Sequence, residues 1–327
     1  MYTSVRKLIS FIVLGSLVVI SATSCTFLKM DVKPKEGYEE KFITGNEKSD
    51  NKIVLLPVQG LIMDPGERDN PYVFSPRKIQ ELLHIISRDK TIKAVILEIN
   101  SPGGGVTASD ISYRYLKGFK KAHPTIPVLC LMKDTATSGA YYIAMASDYI
   151  IAHPTSITGS IGVISVFFSG EDLIKWAKID VVVLKSGKSK DSGSFFRRME
   201  PEEKEIFQKV IDQMYKGFVD IVAEGRQSHL TRQQVLALAD GRIFTGKEAY
   251  ENKLIDALGY LEDAVNKAKE LAQLEDAKVI KYHKIPGLME SIFSIETPRN
   301  SLDRFQDLLL QQSPGSFMYL WLPGVRY

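Results

Sequence analysis

The stretch Asp134-Thr135-Ala136-Thr137-Ser138-Gly139-Ala140-Tyr141-Tyr142 is a turn of small residues set between two apolar segments. Val128–Met132 before it has the length and composition of a buried strand, and Tyr141–Ala146 after it reads as the start of a buried helix. A serine at a strand-to-helix turn exposes its hydroxyl and holds its neighbouring amides at a helix N-terminus, where developing negative charge is stabilised. That geometry suits a nucleophile. It also suits a helix cap, so this turn alone leaves the role of Ser138 open.

Working outward, the same alternation repeats. Ile53–Val58 is an apolar run at strand length, and Ser75-Pro76 opens a helix with Ile79, Leu82, Leu83 and Ile86 on one face. Ala94–Ile99 is a second strand, ending in Asn100-Ser101-Pro102-Gly103-Gly104-Gly105, after which Thr107–Phe119 reads as helix. Beyond Ser138 come a strand at Tyr149–Ala152, the Thr158-Gly159-Ser160-Ile161-Gly162-Val163 segment, a helix at Leu173–Ala177 and a strand at Val181–Leu184. Glu202–Glu224 is a long helix with acidic residues in its first turn. Thr231 caps a short helix, Asp240-Gly241-Arg242 is a turn, and Thr245 and Leu261 precede further helices. Strands alternating with helices predict an α/β fold with a largely parallel sheet, whose ligand site lies on the loops after the strands. In such a fold the Gly103–Gly105 run and the Ser138 turn fall at one edge. Both can then aim backbone amides at a single bound oxygen.

The chain has 327 residues, 44% of them hydrophobic and 25% charged, enough material for one large or two modest domains. A net charge of +3 with no long basic run gives no reason to expect a nucleic-acid partner. Arg6 and Lys7 precede an unbroken apolar run from Leu8 to Ile20, followed by Ser21-Ala22-Thr23-Ser24-Cys25. Residues 1–28 therefore read as an export signal or membrane anchor, with the rest of the chain outside the cytoplasmic membrane. Two forms are open: an uncleaved span reaching Leu28, or cleavage before a lipidated Cys25, with Ala22 where leucine is commoner in such sites. The other cysteine, Cys130, sits inside an apolar strand, so no disulfide framework is expected. Residues 29–52 read as a linker and 53–284 as the main domain. Residues 285–327 form a tail with apolar residues at Phe305, Leu308, Leu309 and Phe317–Leu322, suited to a neighbour or a membrane.

The residue inventory narrows the chemistry. None of the five histidines falls in a metal-ligand pattern, so neither metal nor cofactor is expected, and no G-x-S-x-G elbow surrounds Ser138. His153, nearest in sequence, is a weak candidate base. The remaining bases are the lysines of Lys185-Ser186-Gly187-Lys188-Ser189-Lys190-Asp191. An ordinary lysine pKa of about 10.4 must fall by roughly three units to serve near neutrality, about 4 kcal/mol of differential interaction. Burial against apolar surface can supply that. The residue pattern alone does not choose among Lys185, Lys188 and Lys190.

Taken together, the Asn100–Gly105 segment, Thr137-Ser138-Gly139, the Thr158–Val163 segment, Lys185-Ser186-Gly187 with Lys190-Asp191, and Asp240-Gly241-Arg242 with Gly246 resemble the bacterial signal peptide peptidase A family. The motifs run in register from about Ile53 to Ala268. The resemblance implies a Clp-protease/crotonase-like fold and a membrane-anchored serine protease with a Ser-Lys dyad, assembled as a homo-oligomeric ring and degrading cleaved signal peptides. By position it implies Ser138 as nucleophile, Lys190 as general base, Ser160 as the hydroxyl holding the lysine, and the amides of Gly104 and Gly139 as oxyanion hole. Ala140 departs from the glycine common after the serine. Glycine-lined edges lead to an expectation of extended apolar peptides with small residues next to the cut bond. The alternatives are a crotonase-like acyl-CoA enzyme and a non-catalytic membrane scaffold.

Overall fold

The structure is a computed structural model that describes residues 37–64, 66, 72–285 and 317–320. By contacts the chain divides into two units. The smaller comprises Met1–Glu39 with Lys284–Thr297, of which residues 37–39, 284 and 285 are described and are extended. The larger comprises Glu40–His283 with Pro298–Tyr327 and holds the core and the candidate site.

The apolar runs form the centre of the sheet. Strands β2 (Lys52–Gln59), β5 (Ile92–Ser101), β7 (Val128–Thr137), β8 (Tyr149–Ala152) and β11 (Ala257–Leu258) lie side by side in parallel. On the far side of β2 come β12 (Lys278–Ile285), parallel to it, and then β1 (Gly37–Gly45). Near-continuous burial along β2, β5 and the first half of β7 is what a sheet covered on both faces requires. Ile53, Leu55, Ile96, Leu129, Leu131 and Ile151 pack with Ala264, Val265 and Ala268 of the helix Leu261–Leu271 into one core. Cys130, between Leu129 and Leu131 on the opposite face of β7, is also fully buried, its thiol pKa pushed up by burial.

Local chemistry sets the helix ends where the sequence places them. Ser75 accepts a hydrogen bond from the Lys78 amide at the start of Pro76–Arg88, and Ile79, Leu82, Leu83 and Ile86 are buried as expected. Thr231 with Gln234, and Thr245 with Glu248, form reciprocal capping boxes at the next short helices. Among the described residues no helix is long and apolar enough to cross a membrane. The expected signal or anchor, Cys25 included, lies outside the described residues, as does most of the tail.

Three expectations are corrected. Gly37–Gly45, inside the stretch expected to be linker, is a strand paired with β12; its exposed Glu39, Glu40 and Lys41 hide the pattern because it sits at the sheet edge. Val181–Leu184 is not a strand. It makes no ladder, and Leu184 is 93% exposed. Finally, Met318–Leu320, in the tail that carried no recognisable motif, is a strand, β13. It belongs to a second small sheet in the order β13, β6 (Gly103–Gly105), β3 (Leu61–Ile62), β4 (Val73–Phe74).

Candidate active site

The site grows from the far end of β7. Its first half pairs with β5 and β8. Its last residues, Thr135–Thr137, pair instead with β9 (Ile157–Gly159), and Thr158 Oγ1 donates to the Ala136 carbonyl at 2.7 Å. The chain then turns at Ser138, whose amide donates to the Gly159 carbonyl at 2.7 Å, and enters the helix Gly139–Ala144. Ser138 has φ 55° and ψ −117°. This is a left-handed backbone that a side chain rarely adopts, held here by the strand before and the helix after. Its side chain makes no capping bond, so the cap reading of this serine fails.

The glycine run approaches the same turn. Asn100 ties the end of β5 to β7, its Oδ1 accepting from the Thr135 amide at 3.2 Å and its Nδ2 donating to Asp134 at 3.3 Å. Gly103, at φ +97°, then redirects the chain into β6. A methyl group on Gly103 would lie 2.8 Å from the Gly139 amide nitrogen, and one on Gly139 would lie 3.3 Å from the Gly104 nitrogen. Only glycines let these backbones come this close. The amides of Gly104 and Gly139 are thereby gathered beside Ser138. The Ser109 hydroxyl, donating to the Gly105 carbonyl at 2.9 Å, fills the other side of Gly139. Ser109 was not legible from the sequence, because one serine in a helix carries no positional signal.

Ser160 follows directly on β9, buried, with φ 51°. Its amide donates to the Arg242 carbonyl at 2.8 Å, so the Asp240-Gly241-Arg242 turn holds it in place. That turn is stiffened by the Arg242–Asp240 ion pair and by Gly241 at φ +88°. The motifs at 104, 138–139, 160 and 240–242 are therefore parts of one assembly.

The lysines are elsewhere. Lys185, Lys188 and Lys190 lie on or beside an exposed 3-10 turn, Lys188–Asp191, within a self-packed excursion of the chain where Gly170 backs onto Phe195. Lys185 Nζ is paired with Asp191 at 2.7 Å, and Lys188 is paired with Glu202, which raises its pKa. Lys190 donates its backbone amide to the Gly187 carbonyl at 3.1 Å, and it alone of the three has no side-chain hydrogen bond or ion pair to a described residue. The turn is anchored by Arg197, which bonds Asp191 at 2.9 Å and also Glu203. That guanidinium, with Lys185, holds the Asp191 carboxyl well below the usual range, and it brings Glu203 down to about 2. Lys190 makes no hydrogen bond with Ser138 or Ser160. Around it the excursion displays Phe168, Trp176, Val182, Leu184 and Phe196 to solvent, with Trp176 81% exposed.

His153 has an aromatic neighbour. Its ring packs on Tyr260 with centroids 4.8 Å apart, and burial lowers its pKa. Among the described residues no group of acidic, cysteine or histidine side chains is arranged to hold a metal ion.

The sequence pattern of peptidase family S49 matches residues 120–275. Over 236 residues the chain is 39% identical to a protein of Enterococcus faecium named as a signal peptide peptidase SppA, covering 72% of this chain and 67% of that one. It is 40% identical over 201 residues to a protease of Methanocaldococcus jannaschii, covering 62% and 63%. It is 36% identical over 230 residues to Protease 4 of Haemophilus influenzae, covering 70% of this chain but 36% of that longer one. A solved membrane-bound stomatin-specific protease in complex with a substrate peptide is similar at a TM-score of 0.45 and 16% identity, over 75% of this chain and 96% of that one.

Proposed function

The chain belongs to peptidase family S49 and is a serine peptidase, and from that premise we propose that Ser138 is its nucleophile and Lys190 its general base. The observation that carries this reading is the convergence of the strained, uncapped Ser138 with the amides of Gly104 and Gly139. The Ser138 hydroxyl attacks the scissile carbonyl, and its proton passes to the neutral Lys190 amine. The two amides receive the developing oxyanion. Lys190 then returns the proton to the leaving amine, and water hydrolyses the acyl-enzyme by the reverse sequence. Ser160 orients the lysine. Family membership leaves no place for the acyl-CoA alternative.

Lys190 is the base in this reading because the amines of the other two lysines are already engaged by carboxylates. It reaches a serine only when the exposed apolar face around it is covered, which a second copy of the chain does in a homo-oligomeric ring. Covering also takes the amine out of water, the setting in which a lysine can serve as a base. The substrates are cleaved signal peptides and similar apolar peptides. The enzyme works outside the cytoplasm, tethered by residues 1–28 as a span or through a lipidated Cys25.

The test is a set of single variants checked for folding and assembly before peptidase assay. Ser138→Ala and Lys190→Ala should each abolish activity, since nucleophile and base act as one unit. Lys185→Ala and Lys188→Ala should retain most of it. Co-assembling Ser138→Ala with Lys190→Ala copies should restore a fraction of the rate if the dyad forms between copies. Near-normal activity of Lys190→Ala with loss in His153→Ala would overturn the reading.

A further inference from the structure

β7 reaches the nucleophile turn with two residues more than a regular ladder would use. It pairs with β5 from Val95 opposite Val128 to Ile99 opposite Met132, and the next rung is Ser101 opposite Ala136. Asn100 alone therefore faces Lys133, Asp134 and Thr135. At a rise of about 3.3 Å per residue the surplus is worth roughly 6–7 Å of strand. It ends just before the Ala136 rung that leads into Ser138, so how it is taken up decides whether the serine stops beside the Gly104 amide.

The hydrophobic pattern does not fix this register. A slip of one residue would turn each side chain of Thr135–Thr137 to the other face, and burial forbids it. A slip of two returns each side chain to its own face, so burial is indifferent to it. Specific bonds must hold the surplus, and two side chains supply them. The backbone of Asn100 is fixed by the Gly60 amide, which donates to its carbonyl at 3.1 Å. From there its Oδ1 accepts from the Thr135 amide at 3.2 Å and its Nδ2 donates to the Asp134 carboxylate at 3.3 Å. On the opposite edge of β7, Ser156 is 1% exposed and shares its hydroxyl between the Met132 carbonyl, at 3.0 Å, and the Lys133 carbonyl. The carboxamide of Asn100 thus does for the bulge what a strand backbone does at an ordinary rung: it offers an acceptor and a donor side by side.

Resting on the active-site reading above, we propose that Asn100 is a positioning residue for the peptidase reaction, its side chain standing in for the missing rungs opposite residues 133–135 and so setting the register in which Ser138 meets the Gly104 amide. It acts through Thr135 and touches none of the reacting groups. The glycine edge expected to receive the peptide is held by β3, which pairs with β6 at Gly104, so loss of the Asn100 bonds leaves that edge in place. What moves is the serine. A misplacement of about 1 Å at a reacting group costs on the order of 10²-fold in rate.

The experiment uses the full-length assembled enzyme, a fluorogenic apolar peptide, and a fluorophosphonate that reacts with the serine hydroxyl. Asn100→Ala should lower kcat about 10²-fold and slow labelling of Ser138 by a similar factor, with KM within about threefold of wild type. Asn100→Asp should lower kcat at least about tenfold, because it sets a second carboxylate against Asp134. Asp134→Asn alone should stay within about threefold of wild type, since its amide oxygen accepts the same bond. Combining Asn100→Asp with Asp134→Asn should recover at least about a third of wild-type kcat: donor and acceptor trade places, and the Thr135 amide keeps its acceptor. This exchange carries the test if Asn100→Ala does not fold. A kcat above about a third of wild type in folded Asn100→Ala, a rise in KM that matches the fall in kcat, or an exchanged pair no better than Asn100→Asp overturns the proposal. Hydrolysis that depends on Ser138 but ignores Asn100 defeats this inference alone; hydrolysis that survives Ser138→Ala defeats the active-site reading on which it rests.

Discussion

Gly104→Ala should disable the enzyme while Gly105→Ala leaves it working, although the two positions are adjacent and the added group is one methyl. On the observed backbone a Cβ at residue 104 would lie 1.9 Å from the Ile62 carbonyl oxygen, 2.6 Å from its carbonyl carbon and 2.7 Å from its nitrogen. These are main-chain atoms of β3, which pairs with β6 at this very point, so no side chain can rotate out of the way. To reach ordinary contact β6 must move by about 1 Å or more. A displacement of that size at a positioning group costs on the order of 10²-fold, and loss of one oxyanion donor costs about 10²–10³ in kcat. Overpacking also removes about 1–3 kcal/mol of stability. At residue 105 the nearest atoms to an added Cβ are 3.9 Å away, and φ −61° with ψ 136° suits alanine. That variant should stay within about 0.5 kcal/mol of wild type. The assay is steady-state hydrolysis of an apolar peptide, on protein whose near-ultraviolet circular dichroism and oligomeric state match wild type. More than a tenth of wild-type kcat in folded Gly104→Ala, or an equal fall in Gly105→Ala, would refute the reasoning.

Ser138→Gly should abolish activity yet raise stability by about 1 kcal/mol, because glycine adopts the φ 55° backbone without strain; a Tm lower than wild type would show that no strain is stored there. Glu203 has a carboxyl pKa of about 2, held down first by Arg197, against about 4.3 when unfolded. Its contribution to stability is therefore fully present above about pH 4.3 and lost as pH falls through 2. Urea unfolding should find Glu203→Gln less stable than wild type at pH 7, with the gap closing toward pH 2, and a gap that persists there would count against the ion pair as its source. In the proposed ring, Leu184→Glu, placed on the most exposed apolar side chain of the 168–196 face, should give smaller species than wild type by light scattering and lower peptidase activity with them. An intact, active ring in that variant would put the interface elsewhere.

Much of the fold was legible locally. The buried strands at 53–58, 94–99, 128–132 and 149–152 announce themselves because a strand covered on both faces must be apolar throughout. The helices at 76, 232 and 246 announce themselves because an orphan amide at a helix start needs an oxygen one turn away. The glycines at 103–105 and the serine at 138 marked the site edge for the same reason: backbone conformation is a property of the residue itself. What depends on a distant partner was not legible. β1 is polar because one of its neighbours is solvent, and Val181–Leu184 is apolar without being a strand because no described strand of its own chain meets it. The spacing of the lysines did not say which was free. That followed from where Asp191 and Glu202 stand in space. Nor could the tail announce itself: Phe317-Met318-Tyr319-Leu320 is an ordinary apolar run, and its meaning comes only from the sheet edge and aromatic pocket that receive it. Composition and periodicity determine which segments are buried and how each begins and ends, since those are local free-energy choices; which edge a strand occupies and which side chain fills a pocket are decided by contacts between residues far apart in the chain, and only the tertiary structure contains them.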